Sequence, residues 1–229
     1  GDREPEGEAY DLMCATVSEK HRLWVEYWRP ANWKCIFGDD SRRIFSKASH
    51  GLPSIQEEWG TYPALIGKAE ESIFGGKPWH PPAPPELKGS READVARELA
   101  SFEVLEGFEV NLFADESHGV RNPLSVRWDA SGRMYVACSD VYPQVEPGVR
   151  GYDRVIALRD TDHDGRADES KVFAEGLLIP TGMEVGPDCV YIGQGPELLT
   201  LRDTDGDGVG DERIALLTGF GNGDSHQTS

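Results

Sequence analysis

Aspartates occupy alternate positions in two short stretches of this sequence, and the second stretch repeats the spacing of the first. The acidic positions and the glycine among them are Asp160, Asp162, Asp164, Gly165 and Asp168, then Asp203, Asp205, Asp207, Gly208 and Asp211. Carboxylates at loop positions 1, 3 and 5 converge when the backbone coils around one point, and glycine at position 6 permits a sharp turn. The spacing predicts two loops that bind a hard cation of calcium size.

The other loop positions refine this prediction. Positions 7 and 9 are Arg166 and Asp168 in the first loop and Val209 and Asp211 in the second. Position 7 would supply its carbonyl, and position 9 a direct or water-mediated oxygen. Position 12, at which an EF-hand has a bidentate glutamate, is Lys171 in the first loop and Ile214 in the second. The sequences on both sides of each loop have the pattern of strands, not helices. The alternative is a pair of solvated Asp-rich turns, because Asp and Gly are common turn residues.

An internal repeat predicts the elements that position these loops. LRDTDHDGRAD (158–168) recurs as LRDTDGDGVGD (201–211), and NPLSVRWDASGRMYVA (122–137) resembles IPTGMEVGPDCVYIG (179–193). Each unit begins with two strands joined by a tight turn. A third strand follows and ends in the acidic loop, and a fourth strand comes after that loop. A period of ~40 to 50 residues built from short strands is typical of β-propeller blades. The predicted fold is mainly β, a partial propeller of about two blades.

A closed propeller needs at least about four blades. We therefore expect either an unusual oligomer or the front end of a longer protein, and the second is favoured because GNGDSHQTS (221–229) adds no closing strand. The segment 138–153 is expected to be a long loop inserted in the first blade.

Three domains are predicted along the chain. Residues 1–74 form an unassigned, aromatic-rich α/β or irregular segment, residues 75–89 a proline-rich linker, and residues 90–229 the propeller part. Within the last, Ser90 is expected to cap a helix of about three turns with Val95, Leu99 and Phe102 on one face. A half-buried strand is expected within 102–114.

Composition excludes several function classes. With 23 Lys+Arg against 41 Asp+Glu in 229 residues, the net charge of -18 argues against nucleic-acid binding. No run of apolar residues is long enough for a membrane span, and the first residues do not have the pattern of a signal peptide.

The four cysteines, at positions 14, 35, 138 and 189, form no CxxC or CxxCH motif. Zinc-knuckle, thioredoxin-like and c-type haem sites are thus not indicated. They are either four separate thiols or include a bridge between Cys138 and Cys189.

An ordered series of motifs resembles the planctomycete-type membrane-bound dehydrogenase family, whose six-bladed propeller is related to soluble quinoprotein glucose dehydrogenase. The series comprises GFEVNLFA (107–114), 122–137, 153–183, 190–212 and LTGFGNGDSHQ (217–227). In that family, helical repeats and a CxxCH cytochrome domain often follow the propeller. Residues 1–89 lie outside the resemblance.

The resemblance implies a periplasmic or extracellular protein that oxidises sugars or alcohols with pyrroloquinoline quinone and passes electrons to a partner. Haem is implied only if a CxxCH domain lies outside this chain. His226 in GDSHQ matches the histidine that takes the proton of the substrate hydroxyl, a role that suits a neutral imidazole.

Two rival function classes stay open. One is a non-catalytic, calcium-stabilised propeller that binds glycans or protein partners at a cell surface. The other is a structural or adhesive protein of acidic repeats. Fold alone does not decide among the three.

Overall fold

The computed structural model describes residues 7–30, 32–37, 54–80, 82–83, 92–142 and 144–221. The chain divides into two compact units. A helical unit contains residues 1–84, 143–150 and 221–228, and a β-sheet unit contains residues 85–142 and 151–220.

The helical unit is built from four helices among its described residues. These are α1 (Glu8–Trp28), α2 (Trp33–Phe37), α3 (Ile55–Trp59) and α4 (Tyr62–Phe74). Leu23 of α1 and Tyr62 and Ala69 of α4 are buried together, and the ring of Trp59 stacks on Tyr27 with centroids 4.6 Å apart. The segment predicted as α/β or irregular is thus helical where it is described. Its buried cluster includes few residues of each helix, and exposed aromatic residues such as Trp24 and Trp28 of α1 obscure the helical period in the sequence.

None of the helices in the described part of the chain combines the length and the apolar character needed to cross a bilayer.

The inserted loop of the first blade contributes to the helical unit. Arg150 Nη2 lies 3.0 Å from Glu19 Oε2, and Arg22 Nη2 donates to the carbonyl of Gly148 at 2.8 Å. The Glu19 side chain is only 2% exposed. Burial alone would raise the pKa of this carboxyl, but the hydrogen bonds and charges of Arg22 and Arg150 lower the pKa below its usual value.

Among its described residues, the β-sheet unit contains helix α5 (Glu92–Leu99) and eight strands. The strands are β1 (Pro123–Trp128), β2 (Met134–Cys138), β3 (Asp153–Arg159), β4 (Glu169–Leu177), β5 (Gly182–Val185), β6 (Val190–Gln194), β7 (Glu197–Arg202) and β8 (Glu212–Thr218). They form two four-stranded sheets, in the orders β1-β2-β3-β4 and β5-β6-β7-β8, with antiparallel neighbours throughout. The prediction of a mainly β fold with about two propeller blades is confirmed.

The two sheets pack through a shared apolar core. Tyr135 and Val155 of the first sheet belong to the same buried cluster as Ile192 and Leu201 of the second, and Tyr135 meets Phe173 edge to face at 5.1 Å. The period-2 alternation of β3 places Val155 and Ala157 in this shared cluster and Ile156 and Leu158 in a second buried cluster on the other face of the sheet.

Several local predictions were wrong. Residues 102–114 form no strand, and α5 ends at Leu99, which leaves Phe102 outside the helix and 59% exposed. Cys138 and Cys189 are both buried free thiols, so the bridge between them is excluded. The predicted cap Ser90 lies outside the described residues.

Candidate metal centres

Each acidic stretch is the loop of a β-hairpin. Residues 160–168 connect β3 to β4, and residues 203–211 connect β7 to β8. Strand pairing closes both loops at the base, between Arg159 and Glu169 and between Arg202 and Glu212. Arg202 Nη1 and Glu212 Oε2 also form an ion pair at 3.1 Å. The regular blade hairpin therefore positions the aspartates at its tip.

The aspartate at position 1 organises each loop. Asp160 Oδ2 accepts from the Gly165 N–H at 2.9 Å, and Asp203 Oδ2 accepts from the Gly208 N–H at 2.8 Å. The two glycines have φ of 84° and 86°, in the left-handed region that favours glycine. Part of the spacing between Asp and Gly is therefore required by the loop backbone itself.

Three carboxylates converge at each loop. Oxygens of Asp160, Asp162 and Asp168 lie within 4.8 Å of one another, as do those of Asp203, Asp205 and Asp207. Position 1 is half-buried in both groups and the other members are exposed. The two groups share positions 1 and 3 but differ in the third member, which is position 9 in the first loop and position 5 in the second.

The remaining predicted ligands make contacts within the loop. Asp164 accepts from the Arg166 N–H at 2.8 Å, and Asp207 accepts from the Val209 N–H at 2.7 Å. At position 7 the structure thus shows a role for the backbone N–H, while the predicted role of the carbonyl stays a prediction. Asp211 accepts from the N–H and hydroxyl of Thr204, at 3.0 and 2.7 Å.

The position 9 carboxylates favour their ionised form. The hydroxyl of Thr161 donates to Asp168, and this hydrogen bond is the main cause that lowers the pKa of Asp168. The hydroxyl of Thr204 has the same effect on the pKa of Asp211. Both acids are exposed and present negative charge at neutral pH.

The two loops differ in the polar group that faces them. Lys171 Nζ donates to the carbonyl of Asp207 and lies 3.6 Å from its Oδ2. At the first loop a neutral amide takes this place, because Asn111 Nδ2 donates to the Gly165 carbonyl at 3.0 Å. The sequence indicated only that Lys171 replaces the position 12 glutamate of an EF-hand. It did not predict the contact of Lys171 with the second loop.

A polar cleft of about 540 Å³ lies between the two loops. Lys171, Asp168 and Asp207 are among the charged residues that line it. The predicted catalytic His226 lies outside the described residues, so the structure gives no geometry for a quinone site.

Two consecutive blades with an acidic hairpin loop on each define a propeller-type protein with paired candidate cation sites. The chain belongs to the family described as a domain of unknown function (DUF7133), which matches residues 94–229. A comparison with curated proteins gives no match.

Among solved structures, the chain is similar to the holo form of the pyranose dehydrogenase PQQ domain from Coprinopsis cinerea. The identity is 21% and the TM-score 0.34, over 44% of this chain. The matched part spans 22% of the length of that domain's chain.

Proposed function

We propose that this chain is the calcium-binding part of a β-propeller protein, with one calcium ion held by each acidic loop. The observation that supports this proposal is the duplicated convergence of three carboxylates within 4.8 Å at equivalent hairpin tips. Oxygen donors on an exposed loop suit calcium, which accepts irregular geometry, better than magnesium, which requires a near-ideal octahedron.

Calcium would relieve the repulsion among the clustered carboxylates and fix the hairpin tips. Each carboxylate oxygen has more than one acceptor site, so an oxygen that caps a backbone N–H can still coordinate a cation. The bidentate glutamate of an EF-hand is missing, and water would complete the shell. We therefore expect weak sites, with Kd of roughly 10⁻⁴ to 10⁻³ M, as in extracellular calcium modules.

Thermal unfolding tests this function. Calcium at about ten times Kd should stabilise the folded β-sheet unit by about 1.4 kcal/mol per site through mass action. Magnesium at the same concentration should have a smaller effect, and a chelator should reverse the calcium shift. Equal melting temperatures in calcium, magnesium and chelator would show that the loops are solvated turns that bind no calcium.

The sequence resemblance supports a second, more specific proposal. In it the complete propeller is periplasmic or extracellular, binds pyrroloquinoline quinone, oxidises a sugar or alcohol and passes the electrons to a partner. His226 would accept the hydroxyl proton as hydride leaves the adjacent carbon, a role for which a positioned base typically contributes ~10² to 10⁴ in rate.

Dye-linked oxidation by the quinone-reconstituted protein with a complete propeller tests this second proposal. His226→Gln should remove most of the turnover and leave calcium binding unchanged. If the wild-type protein binds no quinone, the non-catalytic propeller that binds glycans or protein partners is favoured. If His226→Gln matches a turning-over wild type, the residue has no catalytic role.

A further inference from the structure

The segment FEVNLFA (108–114) resembles DESKVFA (168–174), which comprises Asp168 and the first six residues of β4, the outer strand of the first blade. The matching pairs are Glu109 and Glu169, Leu112 and Val172, Phe113 and Phe173, and Ala114 and Ala174. After each copy the chain reaches a residue before proline with left-handed backbone, Asn122 at φ 45° and Ile179 at φ 48°. The stretch 108–122 therefore corresponds to the end of one blade and the connection to the next.

The two copies also make the same backbone contact with an acidic loop. The carbonyl of Phe113 accepts from the Ala167 N–H at 2.8 Å, and the carbonyl of Phe173 accepts from the Gly210 N–H at 2.7 Å. The side chains of Asn111 and Lys171 donate to carbonyls at neighbouring loop positions, Gly165 at position 6 of the first loop and Asp207 at position 5 of the second.

The apolar packing repeats in the same way. Phe113 and Ala114 pack against the buried cluster of the first blade that includes Ile156 and Leu158. Phe173 and Ala174 of β4 belong to the cluster that includes the equivalent Leu199 and Leu201 of the second blade. Residues 111–114 thus lie against the first blade as the matching part of β4 lies against the second.

The two copies differ in their strand pairing. β4 pairs with β3, with Ser170, Lys171 and Val172 opposite Leu158, Ala157 and Ile156. Residues 108–114 pair with no strand among the described residues, and Phe108 and Val110 are 75% and 45% exposed. A segment with exposed apolar side chains and no described strand partner is a candidate for strand addition.

We propose that residues 108–114 are the outer strand of a further blade and pair, antiparallel, with the third strand of that blade. The partner is a three-stranded sheet of the same propeller ring that lacks an outer strand of its own. β4, which matches residues 108–114, pairs with β3. The third strand of the further blade should therefore resemble β3 and end in a hairpin loop. This inference is independent of calcium binding and of catalysis.

A chimera tests whether the segment has outer-strand character. Ser170→Val, Lys171→Asn and Val172→Leu together give β4 the sequence of residues 109–114. The chimera should keep its β-sheet circular dichroism and melt within about 4 °C of wild type. The control places the sequence of residues 103–108 at the same site, which includes Phe173→Gly at a buried position, and should melt far lower. A chimera as unstable as the control would overturn the proposal.

Amide hydrogen exchange tests the pairing directly in a protein with the complete propeller. Residues 109–113 should exchange about tenfold or more slowly there than in the 229-residue chain, when both are referenced to the amides of β3.

Proline variants complete the test. Adjacent N–H groups on a strand point to opposite sides, so one of the two variants Glu109→Pro and Val110→Pro must abolish this protection in the complete propeller. Equal exchange at residues 109–113 in the two wild-type proteins, or protection that neither proline variant reduces, would contradict the proposal.

Discussion

Asp160 and Asp203 each accept two described backbone hydrogen bonds, whereas Asp162 and Asp205 each accept one, from the N–H groups of Asp164 and Asp207. At the scale of single residues, position 1 therefore folds the loop and position 3 mainly adds charge at its tip. Substitution at position 3 is the cleaner probe of cation binding, because it removes a carboxylate and disturbs the loop least.

Lys171 should weaken calcium binding at the second loop, because its ammonium lies 3.6 Å from Asp207 Oδ2. Lys171→Gln should tighten that loop about three- to tenfold, which is the size expected for one partly screened surface charge. Lys171→Arg keeps the charge and serves as the control. Calorimetric titration of the three proteins measures the difference, and equal affinities would contradict it.

Asp153 is the buried polar centre of the β-sheet unit. Its carboxylate accepts from Ser139 Oγ at 2.7 Å and from the N–H groups of Asp140, Val141 and Ile179 at 2.8, 3.2 and 2.7 Å. Burial raises the pKa of this carboxyl, although the four donors act in the opposite direction. The side chain ties the start of the inserted loop to the connection between the two blades.

Asp153→Ala should destabilise the β-sheet unit by about 3 to 5 kcal/mol, because it leaves these donors buried without an acceptor. Chemical denaturation, followed by β-sheet circular dichroism, measures the loss. The control is Asp188→Ala, at a side chain that is 67% exposed and should change stability little. Similar losses in the two variants would show that Asp153 is not a structural centre.

At the scale of elements, the helical unit is held by a buried carboxylate between two guanidinium groups. Glu19 on α1 pairs with Arg22 on the same helix and with Arg150 from the inserted loop. Because its pKa is lowered on folding, its stabilising effect is present above its unfolded value of about 4.3 and is lost as the pH falls below it. Burial raises the pKa of nearby Glu26. Ionised Glu26 therefore lowers the stability of the folded unit, and its protonation on acidification has the opposite effect to that of Glu19.

Glu19→Gln should destabilise the helical unit by about 1 to 3 kcal/mol at neutral pH, because the largely exposed Arg150 loses its carboxylate partner and Arg22 is left with Glu26. The variant should also lose stability less steeply than wild type on acidification below about pH 4.3. Glu70→Gln, which removes the exposed partner of Lys20, should have little effect. Helical circular dichroism across a pH series separates these outcomes, and parallel pH curves for wild type and Glu19→Gln would contradict the argument.

Sequence patterns predicted the blades better than the other elements. The strands at 122–137 and 179–193 were predicted because their alternation and turn residues are local signals. The strand expected at 102–114 has the same alternation but no described partner to pair with, and a strand exists only through pairing. The membership of each carboxylate group could not be read from spacing, because it depends on side-chain positions within the loop that the same spacing does not determine.

At the scale of the whole molecule, the outer strand β8 presents an uncovered apolar surface. Ile214, Leu216 and Leu217 are 45%, 48% and 55% exposed. Strand register makes Leu216 the counterpart of Phe173, which the second blade buries. The unit therefore ends in a face shaped to receive another blade.

The isolated 229-residue chain should consequently be poorly stable or self-associate through this face. Ile214→Thr with Leu216→Thr keeps β-propensity and should reduce association in sedimentation velocity, whereas Val172→Thr on β4 should not. A wild-type chain that is monomeric and shows one sharp melt at an ordinary temperature would contradict the interpretation of this face as a blade interface.

The central claim is that the two acidic loops are two calcium sites, and calorimetric titration tests it most directly on a protein with the complete propeller. Wild type should bind one calcium ion at each of the two acidic loops. Asp162→Ala and Asp205→Ala should each lower the number of bound ions by one, the double variant should bind two fewer than wild type, and Asp188→Ala with Glu106→Ala should bind as many as wild type. No binding heat at millimolar calcium, or a double variant that binds like wild type, would contradict the claim.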